Sequence, residues 1–440
     1  MTDVRYIAYN TLLMFESPSP AGDLTKAVLD KHSYLESSER AFLKRLIEGT
    51  VERRISIDYV LNIYSSLPVS KMKKEVRTLL RMGVCQLLYM NGVKDHAAVS
   101  ETVRIAKMTK VKQLSGFINA ILRRIASERK SISWPKRSDG LIPYLSVNYS
   151  CPEWIADKLV REQGEEKAET VLSLSVSVRP VTARVNLSKC TVDEALALCR
   201  GKRSDICDIA IVLSDHDSIG TVPAVERGLV CIQDISSMLV GLTSGIKEYD
   251  TVLDVCASPG GKSLHAADLA RGGHVTACDL SEKKAEAIRE NAKRCGFSNI
   301  ETKVCDMSVH VQEFEESADV VIADVPCSGL GVMGRKNDIK YNLTEDSIES
   351  LVRLQRNILK NAAGYVKPGG VLMFSTCTVS LDENQKNMEY LTEKCGLVPA
   401  DFYDLLPAGL RDESARWGYL QLYGRWGSTD GFFIGKLVKR

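Results

Sequence analysis

No stretch of this 440-residue chain comes near the ~20 consecutive apolar residues that a bilayer-crossing helix requires, which excludes an ordinary integral membrane protein. The opening Met1-Thr-Asp-Val-Arg5 lacks the basic-then-apolar profile of a secretory signal, so the expected location is cytoplasmic. None of the 13 cysteines stands at Cys-x-x-Cys spacing or clusters with histidine. An odd number of them in a chain this long argues against both a disulfide framework and a metal site, and most read as small buried hydrophobes. A Gly-x-Gly-x-x-Gly dinucleotide turn is also absent, and Gly261-Lys-Ser263 ends like a phosphate-binding loop whose required earlier glycine is Cys256.

Net charge is nearly absent too, at +2, but it is unevenly spread. Residues 1–130 carry 22 Lys and Arg against 13 Asp and Glu, a net +9, and the remainder is −7. A basic front end suggests an anionic partner. From Arg5 to about Arg129 apolar residues recur at three- and four-residue steps with few strand signals, which predicts a helical bundle over residues 1–133. Trp134-Pro135 and Ser138-Asp-Gly140 mark residues 134–149 as a linker. Ser150 ahead of Pro152-Glu153 predicts a helix start, and strand, helix and strands follow in a small α+β module over 150–234. From 235 to 440 strands and helices alternate. Strands are expected at Thr251–Val255, Gly273–Asp279, Glu301–Cys305, Val320–Asp324, Val371–Ser375 and Gly431–Lys439; helices are expected at Ser263–Ala270, Glu282–Cys295, before Ala318 and at Asp346–Ala363. This pattern is that of a doubly wound α/β sheet, in which ligands bind beyond the carboxyl ends of the strands.

Those strand ends hold the chemistry. Val252-Leu-Asp-Val-Cys-Ala-Ser-Pro-Gly-Gly-Lys-Ser263 runs from a strand through a glycine turn into a helix, where backbone amides can receive a ligand. Asp279 closes the second strand, 19 residues after Gly260, where a carboxylate can accept from a ribose diol, and Asp306 after the third is within reach of an adenine amine. With no phosphate loop, S-adenosyl-L-methionine fits better than NAD or a nucleoside triphosphate. Asp324 ends the fourth strand, Cys327 follows it, and Cys377 follows the fifth. Two thiols at neighbouring strand ends suit methylation of a pyrimidine at carbon 5, which is a poor nucleophile until a thiolate adds to carbon 6; a second group then assists release. A positive neighbour, for which Lys262 is the candidate, favours the thiolate. The residues alone do not order the pair. His265 and His274 read as cap or surface residues. Trp417, Tyr419, Tyr423 and Trp426 either stack on bases or pack beside the last strands.

Asp254-Val-Cys-Ala-Ser-Pro-Gly-Gly-Lys262, Asp324-Val-Pro-Cys-Ser-Gly-Leu-Gly331 with Arg335-Lys-Asn-Asp-Ile-Lys340, and Ser375-Thr-Cys-Thr-Val-Ser380 resemble the signature motifs of RNA cytosine-C5 methyltransferases. Leu354-Gln-Arg-Asn-Ile-Leu359 ahead of Lys367-Pro-Gly-Gly370, and Thr429-Asp-Gly-Phe-Phe433, extend the likeness. Phe42 to Arg54, Arg81 to Tyr89 and Gly116-Phe-Ile-Asn-Ala-Ile-Leu-Arg-Arg124 resemble the NusB helical domain, which narrows the match to the Sun (RsmB-type) family. The resemblance implies a multidomain chain: an all-α NusB-like bundle, a small α+β RNA-contacting subdomain, and an α/β Rossmann-like S-adenosylmethionine-dependent methyltransferase domain. It implies methylation of one cytosine in 16S ribosomal RNA, with Cys377 as nucleophile and Cys327 promoting release. DNA cytosine methyltransferases use the Pro-Cys cysteine as nucleophile, so the reverse order competes. Asp324 would contact the cytosine amine or the cofactor, and Lys262 the cofactor or base. Cys256, Ala257, Ser258, Pro259, Gly260 and Gly261 would line the cofactor with Asp279, Asp306 and Asp324. Lys110, Lys112, Arg123 and Arg124 are candidate phosphate contacts, against the plainer role of solvated helix faces. Two positions depart from the family pattern: Asn337, where proline is usual, and Gly334, among residues often basic. RNA is the expected partner and S-adenosylmethionine the cofactor, with no metal and no membrane, in a monomer. The alternatives are the same chemistry on a transfer or other RNA, or a non-catalytic RNA-binding factor on this fold.

Overall fold

The computed structural model describes residues 3–16, 24–214, 220, 222–425 and 429–440. By its contacts the chain divides into two units, one running to Ser177 and including Gly334–Tyr341, the other comprising Val178–Met333 and Asn342–Arg440.

The first unit is helical: α1 (Val4–Met14), α2 (Leu24–Lys31), α3 (Ser37–Glu52), α4 (Arg54–Tyr64), α5 (Lys74–Tyr89), α6 (Asp95–Met108), α7 (Ser115–Glu128), α8 (Leu141–Asn148), α9 (Glu153–Gln163) and α10 (Glu165–Ser175). Helix α5 is its axis, because the run from Leu79 to Leu87 is buried on every side. A helix buried all round must sit among others, and α5 packs against α1, α3, α4, α6 and α7. The same burial forces its one interior cation, Arg81, into a bidentate pair with Asp58 at 2.7 and 2.6 Å, beside Glu16.

Residues 134–149 are not a bare linker. Trp134 stacks on Tyr59, Arg137–Asp139 forms a 3-10 turn, and α8 buries Leu145. Proline and glycine punctuate the segment as the sequence indicates, but its apolar side chains have a surface to cover. Helices α9 and α10 also lie in this unit, so the contact boundary falls at Ser177 rather than at 150. Ser150 does not cap the helix after it: its φ is +51°, and its hydroxyl accepts from Ile55 N at 3.0 Å in the first turn of α4.

The second unit holds two sheets. The smaller contains β1 (Val181–Val185), β2 (Gly201–Arg203), β3 (Ala210–Leu213) and β4 (Val230–Ile232) in the order β2-β3-β1-β4, all antiparallel, with short helices α11 (Val192–Ala197) and α12 (Pro223–Glu226). Fully buried Arg184 of β1 reaches Gln233 at 3.0 Å and Asp268 at 3.2 Å.

The larger part begins with α13 (Ile235–Ser244) and continues β5 (Thr251–Asp254), α14 (Gly261–Leu269), β6 (His274–Asp279), α15 (Glu282–Cys295), β7 (Ile300–Val304), β8 (Ala318–Asp324), α16 (Ile339–Asn342), α17 (Glu345–Tyr365), β9 (Val366–Thr376), α18 (Gln385–Cys395), β10 (Leu397–Pro399), β11 (Tyr419–Arg425) and β12 (Thr429–Lys439). The strand order is β10-β12-β9-β8-β5-β6-β7, with β11 on β12; β5 to β9 are parallel and β12 runs antiparallel to β9. Period-two alternation sorts the core onto two faces: Leu253, Val321, Leu372 and Phe374 pack with Ile358 and Leu359 of α17, whereas Val252, Val320, Ile322 and Met373 pack with α13 and α14. The chain leaves β5 toward β6 and β7 on one side and returns to β8 and β9 on the other, so a crevice opens beyond the ends of β5 and β8. In place of the helix expected before Ala318 there is a 3-10 turn, Gln312–Phe314. No helix among the described residues is long and apolar enough to cross a membrane.

Candidate active site

The turn after β5 is set by its residue types. Gly260 caps α14 with φ +106°, a backbone that a side chain would strain, and Gly260 N bonds Ala257 O at 2.7 Å to close the loop. The Ser258-Pro259 peptide bond is cis. Asp279 at the end of β6 is 6% exposed; it accepts from Ser258 N at 2.9 Å and Leu280 N at 2.7 Å and pairs with Lys284 at 2.9 Å. These bonds tie the turn to the next strand and leave the carboxylate further lone pairs. Asp306 is exposed after β7 and accepts from Ser308 N and Oγ, which lower its pKa, the hydroxyl first. Open glycine backbone followed by two carboxylates at successive strand ends, with the nearby Lys284 and Lys262 paired to Asp279 and Asp324, is a donor and acceptor set that fits an adenosine with a sulfonium tail. Cys256 lies in the turn, but burial, then the carboxylates of Asp254, Asp324 and Asp279, push its thiol well up, so it packs as an inert group.

Two buried residues to which sequence reasoning assigned no role, Asp254 and Ser263, support the turn. Asp254 accepts from Ser263 Oγ at 2.6 Å; burial raises it to about 7, against the hydrogen bond from Ser263. Its position at the end of β5 was the available signal. Asp324, at the end of β8, receives Lys262 Nζ at 2.8 Å on one oxygen and Ser375 Oγ at 2.7 Å on the other. Lys262 also lies 5.3 Å from the centroid of the Phe432 ring. The carboxylate is thus oriented from β9 and neutralised from α14.

Cys327 and Cys377 come together with their sulfurs 3.3 Å apart, both half-buried. Strands β8 and β9 are adjacent and in register, Asp324 opposite Ser375, which brings the segments after them side by side. The Cys327 thiol is pushed well above its ordinary value, first by its hydrogen bond with Cys377, then by burial and by the negative charges of Cys377, Glu383 and Asp324. Gly331 N donates to Cys377 O at 3.0 Å, and Gly431 N donates to Gly331 O at 3.0 Å. A Cβ on Gly331 would meet Gly431 O at 2.0 Å, so this close approach demands glycine. The Thr429-Asp-Gly-Phe-Phe433 motif is explained in full by such contacts: Asp430 pairs with Arg179 at 2.9 Å, Phe432 lies beneath Lys262, and Phe433 packs on Phe374.

The other sequence candidates lie apart. His265 is buried rather than a cap or surface residue, its pKa lowered well below the ordinary value by burial and by Arg184; its ring fills the space beside Gly241. His274 is exposed, 3.6 Å from Glu301. Tyr419 stacks on Phe433, Trp417 is 74% exposed, and Trp426 lies outside the described residues. In the first unit Lys110, Lys112, Arg123 and Arg124 are all exposed, and Arg124 pairs with Glu128. Lys340 of the Arg335-Lys340 motif is buried there; its amine, lowered to about 8 by burial, donates to Glu52 O at 2.8 Å. At Gly334 a Cβ would stand 3.1 Å from the Leu174 and Ser175 carbonyl oxygens, a tight fit for a side chain. Among the described residues no group of His, Cys, Asp and Glu could hold a metal ion.

Residues 243–438 match the family described as 16S rRNA methyltransferase RsmB/F, and residues 2–127 match the NusB family. The chain is 34% identical over 448 residues to the probable ribosomal RNA small subunit methyltransferase B of Bacillus subtilis, covering 100% of this chain and 99% of that one. It is 29% identical to ribosomal RNA small subunit methyltransferase B of an Enterobacter species, covering 92% of each. The solved structure of PH0851 superposes with a TM-score of 0.78 at 23% identity, over 100% of this chain and 99% of the other.

Proposed function

Because the chain belongs to the RsmB/F family of 16S rRNA methyltransferases, with a NusB-family domain ahead of the methyltransferase, we propose that it methylates carbon 5 of a cytosine in small-subunit ribosomal RNA, cytosine 967 being the position that the Sun (RsmB-type) resemblance implies. The observation that carries the reading is the 3.3 Å approach of Cys327 and Cys377 beside the Lys262–Asp324 pair.

S-adenosylmethionine supplies an electrophilic methyl group. Ala257, Pro259, Gly260 and Gly261 would line its methionine end, with Cys256 and Ser258 in the same turn; Asp279 would accept from its ribose, and Asp306 would serve its adenine. Asp324, oriented by Ser375 and Lys262, accepts from the exocyclic amine of cytosine and so selects that base. The Cys377 thiolate adds to carbon 6; the sulfur–carbon bond forms and the ring π electrons move toward carbon 5, which becomes nucleophilic. After carbon 5 is methylated its proton passes to solvent water in the open cleft; the carbon 5–carbon 6 double bond re-forms as that proton is taken, and Cys377 departs as thiolate. Cys327 assists this release. This order is the one that the family resemblance implies, and the upward push on the Cys327 thiol supports it. Lys110, Lys112, Arg123 and Arg124 contribute phosphate contacts from the basic front end.

Transfer of radiolabel from the cofactor to naked 16S RNA, followed by bisulfite mapping, tests the reading. A single new 5-methylcytosine is expected. Label on transfer RNA alone refutes the substrate, and no incorporation with no cofactor binding refutes the enzyme.

A further inference from the structure

Behind the two thiols lies a carboxylate to which the reaction above assigns no role. Glu383 is fully buried between the segments that carry Cys327 and Cys377. Its Oε1 accepts from Ser328 N at 2.8 Å and from Gln355 Nε2 at 3.0 Å; its Oε2 accepts from Ser328 Oγ at 2.5 Å and from Thr378 Oγ1 at 3.3 Å. Ser328 and Thr378 are the residues immediately after the two cysteines, and their hydroxyls are 2.7 Å apart. Gln355 also donates to Pro326 O at 2.9 Å, and Asn387 holds Gln355 in place by donating to its Oε1 at 2.9 Å. One side chain thus grips both cysteine loops from behind, reinforced by α17 and α18.

Ser328 N and Gln355 Nε2 are fixed donors to Oε1 of Glu383, whereas the two hydroxyls at Oε2 can turn, since Ser328 Oγ and Thr378 Oγ1 also bond each other. The Glu383 pKa is raised above the ordinary carboxylate value by burial, against the bonds from Ser328, Gln355 and Thr378, which offset part of that rise. If a clamp were all that the fold needed, a neutral glutamine could accept and donate in the same place without the cost of burying a charge. What the charge adds is a negative field on the thiol pair, felt at Cys327. Charged groups near this cluster include Asp324 with its partner Lys262, Asp382 with its partner Lys386, and Arg356, which donates to Asn387 Oδ1 at 3.4 Å.

We propose that Glu383 is the positioning residue of this site: it clamps the two cysteine loops together and, through its charge, keeps the shared proton on Cys327 so that Cys377 is the attacking thiolate. The proposal rests on the two-cysteine reaction for its purpose, but its test does not depend on turnover. The full chain is treated with iodoacetamide at pH 8 and the label on the Cys327 and Cys377 peptides is quantified by mass spectrometry. Wild type labels Cys377 at least about tenfold faster than Cys327, because alkylation follows the thiolate and Cys377 is the thiolate of the pair. Glu383→Gln, which keeps shape and hydrogen bonding, brings the two within about threefold and lowers kcat with KM for RNA and cofactor unchanged. Ser328→Ala, which keeps the charge and loses one hydroxyl, retains the wild-type ratio. An unchanged ratio in Glu383→Gln, or a ratio erased by Ser328→Ala alone, overturns the proposal. Wild type that labels in the expected order, yet neither methylates RNA nor forms an adduct with RNA containing 5-fluorocytidine, refutes the two-cysteine reaction instead.

Discussion

Two pairs of cysteines in the second unit approach to nearly the same distance. Cys327 and Cys377 stand 3.3 Å apart, and Cys231 of β4 and Cys295 at the end of α15 stand 3.4 Å apart. The second pair is the more polarised in one respect: Cys231 is lowered, first by the hydrogen bond from Cys295 and then by the guanidinium groups of Arg184 and Arg294, against the cost of burial. Yet Cys231 and Cys295 are 4% and 1% exposed, packed with Leu264 and Ala292 where the small sheet meets the large one. Packing alone therefore brings thiols together and shifts their protons. What separates the first pair is its setting: it follows two adjacent parallel strands, remains half-buried at their carboxyl ends, and is bracketed by the Lys262–Asp324 pair in front and Glu383 behind. Chemistry at a thiol pair requires an open side and a fixed field, and only one pair has both.

The contrast breaks most sharply under mutation. Cys377→Ala should lower methyl transfer by at least on the order of 10³-fold and form no covalent RNA adduct, whereas Cys327→Ala should accumulate an adduct visible as a shifted band on a denaturing gel. Trapping by Cys377→Ala instead would reverse the two roles. Alanine at Cys231 or Cys295 should leave kcat within about twofold of wild type, because neither touches the cleft. Next in size is Asp324→Asn, which keeps a partner for Ser375 but loses the charge that Lys262 neutralises. Its kcat should fall roughly 10²-fold, measured under saturating RNA and cofactor, with the melting temperature nearly unchanged. A third measurement needs no turnover. Brief alkylation of the native chain should mark the Cys327–Cys377 pair and spare Cys231 and Cys295 until denaturant is added. Labelling of Cys231 in the folded protein would show that the second pair is open as well, and the distinction drawn from burial would fail.

The sequence made the first pair legible and left the second unseen, for a physical reason. Cys327 and Cys377 follow apolar β-branched runs at strand ends, where a doubly wound sheet collects its functional groups, so position along the chain carried the information. Asp279, Asp306 and Asp324 were readable in the same way. Cys231 and Cys295 meet because β4 of one sheet packs against a helix of another, a contact that no local pattern encodes. Glu383 is hidden for a related reason, since its partners Ser328, Gln355 and Thr378 come from three separate segments. The antiparallel edge shows the limit from another side: β12 was predicted, but β10, β11 and α18 were not, because their short or mixed segments acquire their pairing only from β12 and α17. In the first unit the helical spacing was plain, while the packing of 134–149 was masked by the proline and glycine that punctuate it.

The smallest effect is also the one that tests whether the buried pair has a proton order of its own. A thiol whose folded pKa is depressed contributes stability that is complete above its unfolded value, near 9, and is lost as pH falls through the folded value, about 6. Cys231 should therefore make the wild type progressively more stable than Cys231→Ala as pH rises from 6 toward 9. At the low end only the packing loss of a small buried side chain should separate them, about 1 kcal/mol. Urea denaturation of both proteins at pH 6 and pH 8.5 measures the gap at each end. A gap that widens with pH would mean that a fixed proton order can arise from arginines and burial without any access for a substrate, leaving the open cleft as the feature that makes the Cys327–Cys377 pair reactive. A constant gap would mean that Cys231 and Cys295 are neutral thiols in contact, and the fixed field around Cys327 and Cys377 would then be a second feature that the buried pair lacks.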